Sequence, residues 1–157
     1  MSRPPKPLTK GDTMTEQEER ATVIAEAKTW LGTPYHLNAK VKGAGVDCGT
    51  LLIAVFSGAG LIPEVDLGTN FSDFHLHRSD EIYLGWILKF CRPVPVAQPG
   101  DIILYKFGRI ISHGALVVDY PTIIHAPAQG VMWGDATDEP MIKRQAGIFS
   151  LWGGSRA

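Results

Sequence analysis

Between Cys48 and Ser57 nearly every side chain is apolar: Leu51, Leu52, Ile53, Ala54, Val55 and Phe56 run on without a break. A helix that is apolar all round has no face to offer water, so it must lie at the centre of a domain. Gly58 and Gly60 supply its C-terminal stop. The rest of the chain has to be arranged around this element. At 157 residues there is enough of it to bury a real core as one compact domain.

The flanking patterns say what surrounds that helix. Residues 1–13 carry three prolines and no periodicity; they read as a flexible lead or a cloning remnant, and Met14 serves equally well as a start. From Met14 to Ala157 a single domain is expected. Thr15-Glu16-Gln17-Glu18 has the form of a capping box, and Val23, Ile24, Ala27, Trp30 and Leu31 follow at helical spacing, so a helix is expected that ends before Pro34. A loop from Gly32 to Asp47 should follow it. Ser79-Asp80-Glu81 opens another helix, with Ile82, Trp86, Ile87 and Phe90 on one stripe and Pro93 beyond its end.

Past Gly100 the period changes. Ile102–Tyr105, Ile110–Val118 and Thr122–His125 are rich in β-branched residues and separated by turn residues, and weaker strand candidates lie at 130–133, 141–144 and 148–152. Helices first and strands afterwards predict an α+β fold, its N-terminal helices packed on an antiparallel sheet.

Charge and cysteine count exclude several functions. A formal net charge of −1 gives no basic footprint for nucleic acid. No secretory leader opens the chain, and no apolar run reaches the length of a membrane span, so membrane insertion is not expected. Cys48 and Cys91 make no disulfide framework and are taken as free thiols.

Cys48 stands where a loop becomes the buried helix. There the helix's positive end and its unpaired N–H groups favour a thiolate, and a rigid mount suits a nucleophile. Two histidines follow at long range, in Ser112-His113-Gly114 and Ile124-His125-Ala126. If their strands form a hairpin about Asp119-Tyr120-Pro121, residues whose numbers sum to about 240 lie opposite each other. His125 is then the diagonal neighbour of His113, within reach of it. By period two, His113 should share its face with Ile111 and Ala115. Singly, a cysteine before an apolar helix or a histidine in a strand is usually a packing residue. Together they suit nucleophilic catalysis, with Cys48 attacking, His113 carrying the proton and His125 holding the ring in one tautomer. The backbone N–H of Cys48, with the Tyr35 hydroxyl, would stabilise the oxyanion. This chemistry needs no cofactor and no metal.

Gly32-Thr33-Pro34-Tyr35, Val46-Asp47-Cys48-Gly49-Thr50-Leu51-Leu52, Gly60-Leu61-Ile62-Pro63, Pro99-Gly100-Asp101-Ile102, Ser112-His113-Gly114-Ala115 and Ile123-Ile124-His125-Ala126, in this order, resemble the NlpC/P60 cysteine peptidases. The resemblance implies a papain-like fold and hydrolysis of peptidoglycan stem peptides, typically between D-glutamate and the diamino acid. It implies Cys48 as nucleophile, His113 as base, His125 as the third residue and Tyr35 near the site. The family commonly has Asp-Cys-Ser-Gly where this chain has Asp47-Cys48-Gly49-Thr50, and a glycine pair where this chain has His36-Leu37-Asn38-Ala39. Both departures bear on stem-peptide specificity. Asp47 has two open roles, binding a substrate amine or capping the helix.

The segment from Phe74 to Leu84 is similar to one in the phage-encoded branch of the family. That implies a protein made in the host cytoplasm, incorporated in a phage tail with tail proteins as partners, and acting at the cell wall. His75 and His77 form an H-x-H pair with no third ligand placed, which suits a loop-packing role better than a metal site. Two rivals accompany this reading: a non-catalytic tail-assembly protein, and a Cys–His acyltransferase or amidase on the same fold.

Overall fold

The computed structural model describes residues 14–63, 85 and 88–153. Residues 1–13, His75, His77 and the 74–84 segment lie outside these. So does most of the helix expected after Ser79, of which Gly85 and Leu88 are helical.

Helix α1 spans Glu16–Lys28, with the hydroxyl of N-cap Thr15 accepting from the N–H of Glu18 at 3.1 Å. It buries Val23 and Ala27 as the spacing predicts, and also Arg20. That guanidinium donates to the Pro99 carbonyl at 2.7 Å and to Asp101, 81 residues away, at 2.9 Å, and stacks 4.2 Å from the Trp152 ring. It fastens α1 to the start of the sheet. The stretch from Gly32 to Asp47, expected as loop, contains a short antiparallel hairpin of β1 (Lys40–Val41) and β2 (Gly45–Val46). Gly43, at φ 81°, lies between them.

Helix α2 spans Cys48–Gly58, and its residues from Cys48 to Phe56 are all buried. Each fully buried Leu, Ile, Val or Phe there contributes about 1.5–3 kcal/mol, which is what holds this helix at the centre.

The remaining strands are β3 (Arg92–Pro93), β4 (Ile102–Phe107), β5 (Ile110–Asp119), β6 (Thr122–His125), β7 (Met132–Asp135) and β8 (Gln145–Ser150). They form one six-stranded antiparallel sheet in the order β3-β8-β4-β5-β6-β7. The last strand therefore returns to lie beside the first long one. Ile102, Leu104, Leu116 and Ile124 pack on one face with α2. Ile103, Tyr105, Ala115, Val117 and Ile123 form a second apolar cluster on the other. The α+β architecture expected above, helices packed on an antiparallel sheet, is the one observed.

Two further expectations fail locally. Met141–Arg144, expected as strand, is a single helical turn, α3, following Pro140. The N–H of Ile142 bonds back to the carbonyl of Asp138 at 3.0 Å, closing a helical turn instead of joining a ladder. The second failure is on β5. Tyr105 pairs with His113 but Lys106 pairs with Ile111, so Ser112 is an extra residue bulged out of the ladder. Ile111 consequently packs with the α2-side cluster, away from the face that holds Ala115 and the Tyr105 partner of His113.

Candidate active site

The site begins at the N-terminus of α2. Asp47 is the N-cap: one carboxylate oxygen accepts from the Thr50 N–H at 2.9 Å, and the Thr50 hydroxyl accepts in turn from the Asp47 N–H at 2.9 Å. The other oxygen accepts from the Asn38 N–H at 2.6 Å, and the Thr50 hydroxyl donates to the Ala39 carbonyl at 2.6 Å. Asp47 and Thr50 thus clamp loop 38–39 onto the helix start. Burial pushes the Asp47 carboxyl above its ordinary value, against hydrogen bonds that pull it down. Of the two roles left open for Asp47, these bonds fill the cap. Its carboxylate has no accessible surface, and each oxygen accepts a hydrogen bond.

Tyr35 is brought to the same place by its backbone. It forms a parallel bridge with Val46, and the N–H of Val46 bonds to the Pro34 carbonyl at 3.0 Å. Tyr35, Cys48, His113 and His125 all line one cleft with a volume of about 420 Å³. Cys48 is 3 % exposed, and its thiol donates to the Ser112 carbonyl at 3.4 Å. The β5 bulge therefore supplies the acceptor that faces the sulfur. Cys48 and Cys91 form no disulfide.

The hairpin register is the one expected: Ala115 opposes His125, Leu116 opposes Ile124 and Val117 opposes Ile123. His113 Nε2 lies 2.9 Å from His125 Nδ1, with the rings edge to face at 77° and centroids 5.1 Å apart. His113 is further enclosed by Tyr105, at 5.9 Å, and by Phe107, edge to face at 6.2 Å. Burial, reinforced by the neighbouring His125, pushes the His113 pKa down to about 4. Burial lowers that of His125 as well. Both rings are neutral at pH 7, so one nitrogen of each is a donor and the other an acceptor. A thiol that shares a cleft with a neutral imidazole oriented by a second imidazole has the groups needed to lose its proton to a ring and attack an electrophile.

Sequence reasoning missed several wall residues. Phe107, expected within a turn, ends β4, and Met141 reaches the cleft from α3. Ala126, Pro127 and Ala128 continue the wall past β6. Gly134 on β7 leaves room for His125, since a Cβ there would come within 2.8 Å of its Nε2. The alternation of β7 carries no sign of this requirement. Among the described residues no group of three or more His, Cys, Asp or Glu side chains is disposed to hold a metal ion, and no helix is long and apolar enough to cross a membrane.

Solved structures with this fold place it among known proteins. A lipoprotein-like protein of the NLP/P60 family from Staphylococcus aureus superposes with a TM-score of 0.65 at 18 % identity, over 94 % of this chain and 46 % of that one. This chain therefore spans less than half of the staphylococcal protein. RipB of Mycobacterium tuberculosis, a peptidoglycan hydrolase, gives 0.57 at 20 % identity over 85 % of this chain and 64 % of its own. RipD from the same organism, a non-catalytic NlpC/p60 domain protein adapted to peptidoglycan binding, gives 0.57 at 18 % over 85 % and 96 %. No protein-family model matches the sequence, and no curated protein matches it. The protein has the NlpC/P60 fold. That fold serves both a hydrolase and a non-catalytic binder, so function has to be argued from the cleft.

Proposed function

We propose that this protein is a cysteine endopeptidase that cleaves peptidoglycan stem peptides at the bond between D-glutamate and the diamino acid. The observation that carries the reading is that Cys48, His113 and His125 share one cleft, with the two imidazoles 2.9 Å apart. In the working tautomer His113 Nε2–H donates to His125 Nδ1, leaving His113 Nδ1 with a free lone pair. That nitrogen takes the Cys48 proton as sulfur attacks the carbonyl carbon. The oxyanion is met by the Cys48 N–H at the helix start, aided by the Tyr35 hydroxyl. Collapse breaks the C–N bond, and the imidazolium returns its proton to the leaving amine. Water, deprotonated by His113, then attacks the thioester and frees the second product and the thiol.

The test is digestion of purified muropeptides. Cleavage abolished in Cys48→Ala and in His113→Ala is the expected result; undiminished cleavage by Cys48→Ala removes the mechanism. A non-catalytic role, like that of RipD, draws on one specific observation: Cys48 is 3 % exposed and its thiol already donates to the Ser112 carbonyl. Iodoacetamide separates the two readings, because a catalytic Cys48 alkylates near neutral pH and a sealed one does not. The same proposal places the protein in a phage tail, acting on the wall during DNA entry. This rests on the resemblance of residues 74–84, which lie outside the described structure, and is tested by looking for the protein in purified virions.

A further inference from the structure

The turn α3 does more than close the chain before β8. Met141 and Arg144, three residues apart, share one side of a helical turn, and both meet Phe107. Met141 lines the cleft with it, and the Arg144 guanidinium lies 4.5 Å above its ring. Phe107 is 45 % exposed, so the stack stands at the mouth of the cleft. It fixes the plane of the guanidinium and leaves its charge unanswered by any described carboxylate. Among the described residues the ion pairs join Arg20 to Glu16 and Asp101, Lys42 to Glu26, and the adjacent Lys143 to Glu139; none includes Arg144. Its Nε–H is enclosed and has no hydrogen-bond acceptor. The residues lining the cleft include no carboxylate and no permanent cation, and Arg144 stands beside them through its stack on Phe107.

We infer that Arg144, held flat on Phe107, is a specificity residue that takes a carboxylate of the substrate at the mouth of the cleft. The inference rests on the stem-peptide reading above. A guanidinium whose plane is preset by an aromatic ring presents a fork of N–H groups that matches a carboxylate in two parallel hydrogen bonds. In a stem peptide linked through the γ-carboxyl of D-glutamate, the free α-carboxylate lies on the residue that donates the scissile carbonyl.

The test compares two synthetic stem peptides, one with the free α-carboxylate on D-glutamate and one with that group as the amide. Wild-type protein should cleave the acid form with the higher kcat/KM. Arg144→Met, which keeps the stem over Phe107, should lose about 10- to 100-fold on the acid form and nothing on the amide. Arg144→Lys should restore part of the difference. Equal loss on both peptides, no loss on either, or no preference in the wild type overturns the inference. If the wild type cleaves neither peptide, the hydrolase reading fails. The inference is then decided by titrating both peptides into Cys48→Ala protein: tighter binding of the acid form, removed by Arg144→Met, supports it, and indifference to the carboxylate refutes it.

Discussion

Gly134→Ala tests whether His125 acts through its position. An ideal Cβ at 134 falls 2.8 Å from His125 Nε2, 3.2 Å from its Cδ2 and 3.2 Å from Ile123 Cγ1. Ile123 is fully buried in the second apolar cluster and has nowhere to go, so the imidazole must give way. It has to move by about 0.6 Å to reach ordinary van der Waals contact at 3.4 Å. His113 stands 2.9 Å from the other nitrogen of that ring. A shift of this size compresses or opens the contact, and the ring relieves it by rotating out of line. The lost interaction is one made to an imidazolium in the transition state, worth about 1.5–3 kcal/mol, or about 10- to 150-fold in kcat/KM. Alanine is favoured over glycine in a strand by about 0.5–1 kcal/mol, so the melting temperature should change little while activity falls. The assay is kcat/KM on stem peptide in a double-mutant cycle with His125→Ala. If Gly134 acts through His125, adding Gly134→Ala to His125→Ala costs nothing more. Full activity in the single variant, or losses that simply multiply, would refute the argument.

Four further outcomes are expected. The His113 pKa is pushed down to about 4 from 6.5, so the unfolded chain takes up that proton before the folded one does. Stability from this ring is complete above pH 6.5 and is lost as pH falls towards 4, and thermal melts across that range should show the decline, reduced in His113→Gln. The acidic limb of kcat/KM in the free enzyme should likewise fall near 4, and a limb at 6.5 or above would contradict a buried neutral imidazole. Burial, with Asp101 nearby, pushes the Cys91 thiol up to about 12, so at pH 8 iodoacetamide should label one thiol per chain, lost in Cys48→Ala; mass spectrometry finding label on Cys91 would overturn the assignment. Arg20→Met should cost about 3–5 kcal/mol in urea unfolding, because it leaves the Asp101 carboxylate buried beside no cation; a loss below about 1 kcal/mol would show that the node is incidental.

What the sequence disclosed and what it concealed divide along a physical line. The buried helix was legible because a run of apolar residues has only one stable location. The pairing of His113 with His125 was legible because a tight turn at Asp119–Pro121 fixes a register, and a register fixes diagonal neighbours. The bulge at Ser112 was not, because period two continues through it in the sequence while the ladder skips a residue. It decides which way Ile111 faces and which carbonyl meets the thiol. The burial of Arg20 was not legible, since nothing within its own helix announces a carboxylate 81 positions on. Met141–Arg144 misled for the same reason: four residues are too few for a period to show, and the bond to Asp138 settles the matter from outside the segment. Asp47 could be narrowed to two roles from sequence. The positions of Asn38 and Thr50 show the cap.

That one fold carries both RipB and RipD makes the proton on Cys48 the point on which activity turns. In the resting arrangement that proton faces the Ser112 carbonyl at 3.4 Å, and the imidazole that must receive it is neutral. A thiol is a weak donor, and a neutral hydrogen bond is worth about 0.5–1.5 kcal/mol net, so giving up this partner is a small part of any catalytic barrier. Forming the imidazolium costs more, because the transfer creates that charge in a pocket walled by Tyr105 and Phe107. Burial opposes it first and any charge on His125 opposes it further, as the low pKa of His113 records, so His125 helps only as the neutral ring. A second imidazole presenting Nδ1 to the ring stabilises it when the charge appears and costs little while the ring is neutral. On this reasoning His125→Ala should slow alkylation of Cys48 at neutral pH along with hydrolysis, whereas a purely structural His125 would leave the alkylation rate unchanged.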